Sequence, residues 1–161
     1  MEQDELWFDV AHRQEGVCLL ANSKEQVFAE KLKSLLRHGI RSTRFCDLYD
    51  MYYIGHRKDL NRERLARYID EAIVEDRDMW DESIEDVVRR VERTLSNRQF
   101  LARMKSSHRD WISRSADEVA RWLPGFLATL NRLAQARPGA RWPPKSPERH
   151  LAPEAIEGER T

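Results

Sequence analysis

The sequence predicts a mainly α-helical chain with one or two short strands at its start. Three observations carry this. Apolar residues recur at helical spacing through most of residues 23–133, capping residues stand where those runs begin, and only residues 6–21 are rich in strand formers. Leu6-Trp-Phe-Asp-Val-Ala11 and Val17–Ala21 are the strand candidates. Ser23 with Gln26 three residues later forms a capping box for a first helix, which Gly39 closes. A second helix spans Ser42–Ile54, and a third runs from about Asn61 to Glu75, with Leu65, Ile69 and Ile73 at steps of four. Ser83 caps a fourth, on which Ile84, Val87, Val88, Val91 and Leu95 form one stripe. A fifth covers about Arg98 to Ile112 and carries Phe100, Leu101, Met104 and Trp111. Ser115 opens a sixth, whose Pro124 predicts a kink or break because proline removes a ladder donor.

After Arg137 the composition changes. Five of the six prolines fall between Pro138 and Pro153, among charged and small residues that cannot bury enough apolar surface to offset ordering. Residues 1–137 are therefore read as the folded part and 138–161 as a disordered, proline-rich tail. The chain of 161 residues carries 35% charged residues at a net charge of zero, so global charge favours neither nucleic acid nor a membrane as partner. Residues 24–67 are rich in Lys and Arg and residues 70–86 in Asp and Glu, which reads as two helical surfaces of opposite sign. No run is long enough to span a bilayer, and Cys18 and Cys46 have no metal spacing. A cytoplasmic chain with reduced thiols is expected.

One group stands out. Val27, Phe28, Leu32, Leu35 and Leu36 fill half of the first helical wheel, and Lys31 projects inside that half, whereas Lys33 and Arg37 fall outside it. An ammonium directed at a core snorkels out, is paired, or holds a ligand. The second helix is apolar nearly all round, interrupted only by Arg44, Asp47 and Asp50 along one narrow stripe. Buried carboxylates need cations, a metal or several hydrogen bonds, and Lys31 and Arg44 are the nearest cations in sequence. Lys31, Arg44, Asp47 and Asp50 are thus the candidate site, with Lys31 expected to approach one of the two acids.

Glu30-Lys31-Leu32 on one helix and Arg44-Phe-Cys-Asp47-Leu-Tyr-Asp50 on the next resemble the C-terminal part of the AbiEii/AbiGii-like nucleotidyltransferase toxins. The stretch from Ser83-Ile-Glu-Asp-Val-Val to His108-Arg-Asp-Trp111 and the last leucine-rich helix are similar to the family's helical end, so that the resemblance covers about residues 5–133. It implies a minimal, polymerase-beta-like nucleotidyltransferase fold, and a toxin of abortive-infection, type IV toxin–antitoxin systems in phage defence. Such an enzyme uses Mg²⁺ and an NTP, and transfers a nucleotide to an RNA or protein acceptor. Carried onto this chain, Lys31 is the phosphate-binding lysine, Asp47 and Asp50 the helical acids, and Arg44 their support. Asp9 corresponds to a strand carboxylate of the metal site. Two features depart from the pattern. Cys46 stands where the family has a lysine, and the Gly-Ser loop with its Asp-x-Asp pair does not occur near the initial strands. The chain then reads as an N-terminally shortened member, a fragment, split enzyme or remnant, inactive alone. A separately encoded N-terminal half and an antitoxin are the implied partners. The alternative is a non-catalytic helical module that binds a nucleotide, an antitoxin or a cognate fragment.

Overall fold

The computed structural model describes residues 3–8 and 17–135. Asp9 and the segment 138–161 lie outside the described residues. The chain is mainly helical. Strands β1 (Gln3–Phe8) and β2 (Val17–Asn22) pair antiparallel, from Gln3 opposite Asn22 to Phe8 opposite Val17. Six helices follow: α1 (Lys24–His38), α2 (Phe45–Gly55), α3 (Arg62–Ile69), α4 (Ile84–Leu95), α5 (Arg98–Ser106) and α6 (Ala116–Gln135).

The caps lie where the sequence puts them. Ser23 Oγ accepts from the Gln26 amide and the Gln26 side chain accepts from the Ser23 amide, so two orphan donors of α1 are satisfied reciprocally. Asn61, Ser83 and Asn97 cap α3, α4 and α5 through their side-chain oxygens. Each helix buries its apolar stripe. Phe28, Leu32, Leu65, Ile69, Ile73, Val87, Val91, Leu123 and Leu127 are fully enclosed, and α6 packs against α2, α3, α4 and α5. Gly55, the last residue of α2, is needed for this approach: a Cβ there would collide with the indole of Trp122 on α6. That indole stacks on Phe126 at 4.7 Å and leans on Tyr52 at 5.0 Å.

Three elements differ from their sequence reading. The third helix becomes a π-helical turn over Asp70–Val74, which keeps Ile73 in the core while the register shifts. The fifth ends at Ser106, not Ile112. Ser106 and Ser107 hydroxyls donate back to the Arg103 and Met104 carbonyls, and His108 takes a left-handed conformation (φ 49°) that stops the ladder. Trp111 consequently sits on a loop. Of the kink or break expected at Pro124, the break does not occur: α6 runs through it, with the enclosed Leu123, Leu127 and Leu130 on either side outweighing one lost backbone bond.

The π-turn also buries an acid. Asp70 is 4% exposed, and its carboxyl is pushed up to about 7, first by burial and then by the negative charges of Glu75 and Glu71. The folded state therefore holds a proton that the unfolded chain has already lost, so Asp70 lowers stability progressively as pH rises from about 4 to 7. Asp70→Asn is expected to stabilise the protein by about 2 kcal/mol at pH 8 and by almost nothing at pH 4. Urea unfolding at the two pH values reads this directly; a variant no more stable at pH 8 would show that Asp70 is ionised without cost.

Candidate functional site

The site is built by α1 and α2, which lie side by side. Lys31 stands two turns into α1, just off the buried face formed by Phe28, Leu32 and Leu35. Its ammonium donates to Asp47 Oδ1 at 2.7 Å and reaches Asp50 Oδ2 at 2.8 Å, so one cation is shared by two carboxylates. Asp47 and Asp50 are three residues apart on α2 and therefore present their carboxylates on the same side. The approach expected from the spacing is observed, and to both acids. Arg44, at the N-cap of α2, lies mostly in solvent and brings Nε within 2.7 Å of Asp47 Oδ2. That approach is off the hydrogen-bond axis. Asp47 Oδ2 feels the guanidinium charge yet has no hydrogen-bond donor, although Asp47 is only 7% exposed.

The electrostatics follow from this arrangement. Burial alone lowers the Lys31 pKa, but hydrogen bonds and charges of Asp47 and Asp50 outweigh it and hold the ammonium above its ordinary value of 10.5. Lys31 is therefore a cation throughout the physiological range. The lysine's share of this stabilisation is lost only as pH rises through the elevated value.

The sequence missed two participants. Trp111, assigned to a helical apolar stripe, instead donates its indole Nε1–H to Asp50 Oδ1 at 2.9 Å. Only the early stop of α5 allows this, and the serine pair Ser106-Ser107 is the signal that marked it. Lys33, read as an ordinary surface charge, is as enclosed as Lys31 and pairs with Asp76 at 2.7 Å. Asp76 also lies 3.6 Å from Arg37, and the Lys33 hydrogen bond is the chief cause holding its carboxyl below the usual range. The basic and acidic stretches thus meet across α1, where the sequence suggested two separate faces.

Metal fit can be tested on these donors. Asp47 Oδ1 and Asp50 Oδ2 are engaged by the ammonium, Asp50 Oδ1 by the indole, and Asp47 Oδ2 lies against a guanidinium. Among the described residues no group of three or more His, Cys, Asp or Glu side chains is arranged to hold a metal ion. Mg²⁺ needs several oxygens at short range, and here two cations would repel it. The described residues do not fit a resident Mg²⁺.

Fold and site together define a helical module organised around one lysine held by two helical acids. A family model described as Nucleotidyl transferase AbiEii toxin, Type IV TA system, matches residues 7–132. The chain belongs to this family of nucleotidyltransferase toxins, whose type IV toxin–antitoxin systems set an antitoxin beside the toxin. Comparison with curated proteins and with solved structures returns no match. No helix among the described residues is long and apolar enough to cross a membrane.

Proposed function

We propose that these residues form the helical, phosphate-handling portion of a nucleotidyltransferase toxin. Lys31 and Arg44 draw the phosphates of an NTP, and Asp47 and Asp50 fix the lysine between them. The observation that carries this reading is the shared ammonium: Lys31 bridges Asp47 and Asp50 at 2.7 and 2.8 Å, within the span 7–132 that the family model covers. Nucleotidyl transfer is chiefly positioning and charge neutralisation, which suits cations mounted on a rigid helix pair. Asp47 Oδ2 is buried and has no hydrogen-bond donor, and the Arg44 guanidinium lies against it.

Mg²⁺ would supply the remaining neutralisation of the triphosphate, and the described residues do not bring together the carboxylates for it. A Gly-Ser loop with an Asp-x-Asp pair, on a partner polypeptide or further segment, completes the site in this reading. The purified 161-residue chain, given Mg²⁺, labelled NTPs and RNA, is expected to transfer no label. Adding a polypeptide that carries the missing motif is expected to produce transfer, which Lys31→Met abolishes. Clear transfer by the pure chain would refute the reading.

A second reading has its own support. Lys31 is engaged by both acids rather than directed outward, as in a cluster that locks two helices together. A non-catalytic module of this kind would bind a nucleotide, an antitoxin or a cognate fragment, and no added polypeptide would give transfer.

A further inference from the structure

Asp50 bridges two different groups. One oxygen takes the Lys31 ammonium and the other takes the indole N–H of Trp111, so an aromatic ring is anchored beside the site's central cation. That ring is not buried. Trp111 is 56% exposed and packs against Tyr53, itself 45% exposed, with ring centroids 5.2 Å apart. Tyr53 follows Asp50 by three residues on α2, which puts phenol and carboxylate on one side of the helix. Arg57 continues the row: its guanidinium lies 5.8 Å from the Tyr53 ring centroid and donates to the Tyr53 hydroxyl at 3.3 Å.

The loop that presents Trp111 is bounded by two residues of positive φ. His108 and Ser113 bracket it at φ 49° and 54°, a left-handed region that histidine enters more readily than serine. A single exposed tryptophan is ordinary. Trp80 is 86% exposed, with no ring or hydrogen-bond partner among the described residues. Trp111 differs in being paired, hydrogen-bonded and set beside a cation, with much of its π-surface left in solvent. Such a surface next to cations accepts a flat heteroaromatic ring by stacking.

We infer that Trp111 and Tyr53 form a stacking platform for the nucleobase of a nucleotide whose phosphates lie on Lys31 and Arg44. The phosphate half of this statement rests on the function proposed above; the platform itself does not. The ring could belong to a free nucleotide or to a single-stranded RNA end, and the binding experiment separates these.

The intact chain is titrated in metal-free buffer with ATP, inorganic tripolyphosphate, adenosine and a single-stranded RNA hexamer. ATP is expected to bind about tenfold more tightly than tripolyphosphate, the difference being the stacked base. Trp111→Ala is expected to erase that difference. Trp111→Phe, which keeps a ring but loses the hydrogen bond to Asp50, is expected to retain most of the difference, and Trp80→Ala all of it. Adenosine is expected to shift the Trp111 indole N–H resonance. A shift with adenosine but no binding of tripolyphosphate would keep the platform and discard the phosphate role of Lys31. A hexamer that binds more tightly than ATP, and is equally weakened by Trp111→Ala, assigns the base to RNA; the reverse order assigns it to the free nucleotide. Equal binding of ATP and tripolyphosphate without an indole shift, or a difference that survives Trp111→Ala, would overturn the inference.

Discussion

Arg90→Ala is expected to destabilise the protein by about 3 kcal/mol. Arg90 leaves α4 in two directions at once. One nitrogen bonds Asp81, which is completely enclosed, and the other donates to the Leu36 carbonyl at 2.7 Å, near the C-terminal end of α1. Withdrawing the guanidinium takes a cation away from a fully buried carboxylate, and removing one member of such a pair costs more than the pair contributes. It also frees the end of the helix that carries Lys31. For a chain of this length the melting temperature should fall by roughly 6–12 °C. Arg90→Lys should recover only a minor part, since one ammonium lacks the fork that reaches carboxylate and carbonyl together. A loss below about 1 kcal/mol for Arg90→Ala would mean that Asp81 is held by its other contacts alone.

Lys31→Met should cost about 2–3 kcal/mol at pH 7, somewhat less than a deeply buried pair because Lys31 and Asp50 are partly solvated. The methionine fills the same space, so the loss is electrostatic. Asp47 and Asp50 then face each other without their shared cation. The gap should stay flat from pH 8 to 10, because Lys31 remains charged there in both states of the wild type. Unfolding melts at pH 7, 8 and 10 provide the check. Lys31→Met combined with Asp47→Asn and Asp50→Asn should restore most of the loss; a triple variant as unstable as the single one would show that packing, not charge, sets the cost.

The helices that declare themselves in the sequence are those with a cap and an unbroken stripe. Ser23 and Gln26 fix the start of α1, and Ser83 with Ile84, Val87, Val91 and Leu95 fixes α4, because both signals are local. The site was legible for the same reason. Lys31 lies on the apolar side of one amphipathic helix, and Asp47 and Asp50 share a stripe on the next, so only the packing of neighbours was needed to bring them together. What local pattern could not supply was the path of residues 107–115. Trp111 continues the spacing of Phe100 and Met104, yet the serine hydroxyls and the left-handed His108 end α5 first. Lys33 was hidden differently: its partner Asp76 lies beyond a π-turn whose extra residue per turn no 3.6-residue wheel anticipates.

The central claim is that the ammonium held by Asp47 and Asp50 serves phosphate. Calorimetric titration of the intact chain with tripolyphosphate in metal-free buffer, beside the folded Lys31→Met variant, tests it most directly. Saturable binding that weakens at least tenfold in Lys31→Met is the expected result. Identical titrations for the two proteins would contradict it, leaving the triad as a clamp between α1 and α2.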